Sequence, residues 1–127
     1  MDIDDFFGSM PFASMLGIEV IEANDGYARG ELEMRDELSW NADEVMAHGG
    51  VTFTLADTIG GAALVSEVDQ PVPTIDMRID FFNVARGDLS AEAEVVRLGG
   101  DIGVSEVTVT DEAANTIARA VGVYKTG

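Results

Sequence analysis

The chain is 127 residues long, 46% apolar and free of cysteine, which suits one compact domain over 1–127 and excludes disulfides, cysteine-ligated metals and a thiol nucleophile. With His48 as the single histidine, serine–histidine and zinc–histidine machinery has little to work with, and no metal is expected. Twenty-four acidic residues against seven basic ones leave a net charge of −17, a surface that repels nucleic acid and anionic membranes.

The acidic start, Met1-Asp2-Ile3-Asp4-Asp5, lacks the positive n-region of a signal peptide, so a cytoplasmic location is expected. Residues 2–16 space Phe6, Phe7, Met10, Phe12, Met15 and Leu16 at three and four positions, with Pro11 in the middle; this predicts one or two short helices packed on the body. Residues 17–23 and 27–34 alternate as strands around the hairpin signal Asn24-Asp25-Gly26. In the second strand Tyr27, Arg29, Glu31 and Glu33 oppose Ala28, Gly30, Leu32 and Met34, so one face is wet. Residues 35–46 have no clean period and read as a loop whose one large anchor is Trp40.

Residues 49–66 follow as a run so apolar that Asp57 is its only ionisable group before Glu67. Its apolar residues fall on every side of a 3.6-residue wheel, which predicts a helix buried nearly all round; it is too long for a strand and marginal for a membrane span. An unpaired ionised carboxylate buried there would cost several kcal/mol, so Asp57 is expected to titrate high or to face a cavity or partner. Either outcome makes it a candidate catalytic group. Thr54 and Gly61 share its face, and neither would block a ligand. The helix begins at Gly49-Gly50 without a Ser, Thr, Asp or Asn cap, and its free N–H groups would suit an oxygen carrying developing negative charge. The plainer reading makes Gly49-Gly50 a tight turn, His48 a surface residue and Asp57 a structural hydrogen-bonder.

After the helix, Asp69-Gln70-Pro71-Val72-Pro73 breaks the structure. Ile75, Met77, Ile79 and Phe81 then alternate with Asp76, Arg78 and Asp80; further strands are expected over residues 89–98, 102–110 and 116–124, with turns at 99–101 and 111–115. The expected order is a hairpin, a long buried helix and a four-strand antiparallel meander. This is an α+β fold in which the sheet curls around one helix.

The acidic residues divide evenly, 13 in 1–64 and 11 in 65–127, so the charge belongs to the folded surface and not to a tail. An ordinary domain would destabilise itself by this self-repulsion at low salt, whereas at 1 M salt the Debye length is about 3 Å. The composition fits a halophilic protein from a salt-in cytoplasm of the haloarchaeal kind.

The same order, with His48-Gly49-Gly50 opening the helix and Asp57 nine residues after the histidine, resembles the hotdog-fold acyl-CoA thioesterases of the phenylacetate-degradation (PaaI) type. The resemblance extends to residues 11–20, to Ile75-Asp76-Met77-Arg78-Ile79-Asp80-Phe81 with Arg86-Gly87-Asp88, and to Val107-Thr108-Val109-Thr110-Asp111. It implies hydrolysis of an acyl-CoA to a carboxylic acid and CoA, with no cofactor beyond the CoA of the substrate. Asp57 would be the general base or nucleophile, the Gly49 N–H the oxyanion donor with Gly50 beside it, His48 a positioning residue, and Thr74 a hydroxyl that helps place water. The resemblance also implies a homodimer, often paired into a tetramer, with each site between two subunits.

Two departures stand out. Relatives commonly carry Asn or Gln six residues before the histidine to hold the carbonyl; here that position is Ala42, and Asn41 is the nearest candidate. Relatives also often carry a basic residue at the turn that holds Asp101 here, so Arg86 and Arg97 are the candidates for CoA phosphates, with weaker support for Arg119 and Lys125. A non-catalytic acyl-CoA-binding hotdog domain is the alternative, but a binder would not need a carboxylate in an apolar helix. A hotdog dehydratase would need a second acid or base beside His48 in a different motif, and none presents itself.

Overall fold

A computed structural model describes residues 1–127, and its elements follow the expected order. Helices α1 (Ile3–Gly8) and α2 (Pro11–Leu16) come first; Asp2 caps α1 by accepting the Asp5 N–H, and Pro11 opens α2, where its missing N–H costs nothing. Strands β1 (Ile18–Asn24) and β2 (Tyr27–Leu32) form the hairpin, with Asp25 and Gly26 both at positive φ as its tight turn requires. The loop over residues 35–46 contains a short 3-10 turn, Asp36–Leu38, and here the expectation is corrected: Leu38 is the buried anchor, while Trp40 is 60% exposed.

Helix α3 (Gly49–Val68) is the filling. Leu55, Ala56, Ile59, Ala62, Ala63 and Leu64 are fully buried, and a large aliphatic side chain taken out of water in this way contributes about 1.5–3 kcal/mol. Gly30 on β2 lets the helix come close, because a Cβ there would overlap the Ile59 side chain. By length and mean hydropathy α3 is apolar enough to cross a membrane, yet 61% of its most apolar window is buried inside the protein.

Strands β3 (Thr74–Phe81), β4 (Leu89–Leu98), β5 (Ile102–Thr110) and β6 (Thr116–Lys125) complete one six-stranded antiparallel sheet in the order β1-β2-β4-β5-β6-β3. This corrects the expected four-strand meander: only β4-β5-β6 run as one, β4 pairs with β2, and β3 crosses to the far edge beside β6. Residues 82–88 are long enough to make that crossing. The curled sheet around α3 is the hotdog arrangement, with β3 as an edge strand. Its outer half is poorly covered: Ile75, Phe81 and the following Phe82 are each more than half exposed.

Candidate functional site

Burial of α3 is not uniform. Gly50, Phe53, Thr54 and Asp57, at helical spacings of three and four, remain exposed or half-buried along the first half of the helix while its other faces are covered. The carboxylate is therefore not sealed in the core. It lines a cavity of about 230 Å³ walled by Phe6, Phe7, Met10, Val72 and Tyr124, with Gly61 on the helix beside it. Asp57 thus faces a cavity, as one of its expected placements required.

Three groups define its surroundings. Thr74, the first residue of β3, donates its Oγ1 proton to Asp57 Oδ1 at 2.6 Å. Thr74 is the side chain that donates to the carboxylate at good geometry, no cation pairs with it, and the Tyr124 hydroxyl lies close beside it, which leaves Oδ2 as the oxygen for a water or a substrate atom. The Tyr124 hydroxyl donates to the Asp57 backbone carbonyl at 2.9 Å. Burial, followed by the nearby Asp57 charge, pushes the Tyr124 phenol far above the usual tyrosine range, so it stays a protonated donor. A half-buried carboxylate with one oxygen anchored and one free can take a proton from water or attack a carbonyl.

The start of α3 forms a second centre. The expectation of an uncapped helix with two free glycine N–H groups is corrected: His48 is the N-cap, and its Nδ1 accepts the Gly50 N–H at 2.8 Å. An imidazole is an uncommon cap, outside the Ser, Thr, Asp and Asn set that marks most helix starts. With Nδ1 accepting, the neutral ring carries its proton on Nε2. The Val51 N–H turns back to the His48 carbonyl at 2.9 Å, which leaves the Gly49 N–H as the one donor of this turn with no acceptor in the chain. Gly49 lines a cavity of about 200 Å³ with Trp40, Phe81 and Val84. A Cβ at Gly49 would lie 3.4 Å from the Phe81 ring.

The other expected residues fall as follows. Asn41 is half-buried in the loop before α3, and its Oδ1 accepts the N–H groups of Asp43 and Glu44 at 2.8 and 3.1 Å, which leaves only its Nδ2 for a ligand. Arg86 follows Ala85, whose carbonyl accepts the Ala47 N–H, so it belongs to the Gly49 end; it lies 3.7 Å from Glu44 in an exposed ion pair. Arg97 pairs with Val104 on β5, one register position from the Gly103–Tyr124 pair but on the sheet face opposite to Tyr124, and it has no carboxylate partner. Sequence reasoning missed Tyr124 altogether. Its only trace was a tyrosine near the end of the last strand and a glycine pair in the helix, which are unrelated until the fold stacks them.

Residues 46–118 match the profile of the thioesterase superfamily. A protein of Halobacterium salinarum named as an esterase is 40% identical over 105 residues, which cover 79% of this chain and 70% of that protein. A solved protein from the thioesterase superfamily superposes with a TM-score of 0.91 at 31% identity, covering 97% of this chain and 94% of its own. The E. coli PaaI protein from the phenylacetic acid degradation operon gives a TM-score of 0.87 at 25% identity, covering 97% of this chain and 88% of its own.

Proposed function

The chain belongs to the thioesterase superfamily, and from that premise we propose that it hydrolyses an acyl-CoA thioester to a carboxylic acid and free CoA. The observation that carries this reading is the half-buried Asp57, held by Thr74 on one oxygen and open to a cavity on the other. The Gly49 N–H, at the positive end of the α3 dipole, receives the thioester oxygen as it becomes an oxyanion. Asp57 either takes the proton of a water that attacks the carbonyl carbon, or attacks it directly to give a mixed anhydride that water then opens. In both routes the carbon–sulfur bond breaks and the departing thiolate takes up a proton.

Gly49 and Asp57 are eight residues apart on one helix, about 12 Å at 1.5 Å per residue, too far to act on one carbonyl carbon. The reading therefore requires two copies, with Gly49 of one subunit facing Asp57 of the other across a twofold axis. Support comes from the uncovered stripe Gly50-Phe53-Thr54-Asp57, the unpaired edge of β3, and the exposed Phe81 and Phe82 beside it. Release of free CoA by the purified protein in molar KCl, measured by thiol capture over short, medium and aryl acyl-CoA substrates, tests the activity. Absence of turnover across the whole set would leave the binding domain as the better reading.

Arg86, beside the start of α3, and Arg97, on β4, are the arginines offered to CoA phosphates. Truncating either to Ala is expected to raise KM for acyl-CoA several-fold with little change in kcat, because each acts on phosphates remote from the reacting carbon. An unchanged KM in both variants would remove the assignment.

We also infer that the protein works in concentrated salt, a reading supported by its net charge of −17 and by its likeness to a Halobacterium protein. Its melting temperature should rise steeply between about 0.1 and 2 M KCl, as the Debye length falls from about 10 Å to below 3 Å. A melting temperature that stays flat over that range would sink the inference.

A further inference from the structure

We propose that Tyr124 is a positioning residue for the hydrolysis, holding the main chain of Asp57 while Thr74 holds its side chain. Thr74 and Tyr124 are direct cross-strand partners on β3 and β6. From this one pair, Thr74 Oγ1 reaches Asp57 Oδ1 at 2.6 Å and Tyr124 Oη reaches the Asp57 carbonyl at 2.9 Å. Two fixed points on one residue define where its free carboxylate oxygen lies, and one point would leave it to swing with the helix.

The neighbouring turn repeats the grip. Ser105 on β5, fully buried, donates its Oγ to the Gly60 carbonyl at 3.1 Å. Mid-helix carbonyls already accept from the N–H four residues on, so these are second bonds, spent on fastening α3 to the sheet. The arrangement explains a glycine that the helix itself would not choose. A Cβ at Gly60 would lie 2.5 Å from Tyr124 Oη and 2.9 Å from Ser105 Oγ, so any larger residue drives the phenol off its carbonyl. Tyr124 itself is 1% exposed, and a Cβ at Gly61 would sit 3.5 Å from its ring.

The inference rests on Asp57 being the catalytic carboxylate, and the experiment separates the two. Steady-state hydrolysis of a turned-over acyl-CoA is compared for wild type, Tyr124→Phe, Gly60→Ala, Val109→Ala and Asp57→Asn, well below every melting temperature. Val109 is fully buried on β5 and lines neither the Asp57 nor the Gly49 cavity, and its truncation serves as the control for lost stability alone. Tyr124→Phe keeps the ring and removes only the hydroxyl; kcat should fall about tenfold with KM within twofold, as expected for a displaced reacting group. Gly60→Ala should show the same split, and it stands in if Tyr124→Phe does not fold. Val109→Ala should melt earlier and keep the wild-type kcat. Wild-type kcat in folded Tyr124→Phe or Gly60→Ala, or a loss no greater than in Val109→Ala, overturns the positioning role while Asp57→Asn stays inactive. Full activity in Asp57→Asn would instead overturn the catalytic reading on which the role depends.

Discussion

Asp57→Asn is expected to fold as wild type does and to lose turnover by about 10³-fold, within the range that a positioned general base supplies. The substitution is nearly isosteric. Thr74 Oγ1 can still donate to the amide oxygen at position 57, and Tyr124 still holds the backbone carbonyl, so the geometry persists. What disappears is the ability to take a proton from water or to bond to carbon, since an amide is neither a base nor a useful nucleophile near neutral pH. The effect on stability should be small, because no cation of the chain pairs with Asp57 and no charge is orphaned by its removal. Thiol release and a thermal melt on the same preparation distinguish a dead site from an unfolded protein. Wild-type turnover in a folded Asp57→Asn would end the catalytic assignment.

The second large effect is expected from Gly49→Pro, which removes one hydrogen atom that matters. Gly49 is the first helical residue after the His48 cap, the position at which proline is favoured in helices. His48 already has φ −59° and ψ 137°, the extended conformation that a residue preceding proline prefers. The cap bond from the Gly50 N–H to His48 Nδ1 does not involve the lost proton. The Phe81 ring, half-exposed, can give way to the new side chain. The helix should therefore survive while kcat drops about 10²–10³-fold, the usual consequence of removing one oxyanion donor. The two inactive variants together test whether the site is shared. In a mixed dimer, the intact Gly49 of the Asp57→Asn chain meets the intact Asp57 of the Gly49→Pro chain, and one of the two sites is whole. Random subunit exchange at equal concentrations should recover about a quarter of wild-type activity. A mixture that stays at the level of its inactive parents after subunit exchange would show that both groups act within one chain or that one of them does not act.

Most of the elements were legible because local pattern carries them. The Asn24-Asp25-Gly26 turn demands positive φ, the alternation in residues 89–98 and 102–110 demands one buried face, and an apolar run of helical length demands a wrapping sheet. The edge position of β3 was not legible. Its alternation resembles that of the neighbouring strands, and pairing with β6, whose partner residues lie 37 to 50 positions later, is a non-local choice that no period reports. Trp40 misled for a related reason: size suggests an anchor, but the short turn at Asp36–Leu38 points Leu38 inward and leaves the indole on the rim beside Gly49.

The candidate site divides in the same way. Asp57, His48 and Gly49 could be singled out from residue type and spacing, since a carboxylate in an apolar helix and a His-Gly-Gly helix start are anomalies within a single segment; Thr74 came only through the resemblance to the family. That Gly50 is occupied by the His48 ring, that Asn41 is tied into its own loop, and that Tyr124 fastens Asp57 from the sheet depends on side chains brought together from distant segments. Sequence by itself determined which groups carry the anomaly, because burial cost and helix polarity are properties of a residue and its near neighbours. Only the tertiary structure decided how those groups are aimed, because a hydrogen bond is made or lost over an ångström, and that distance is set where β3, β6 and α3 meet.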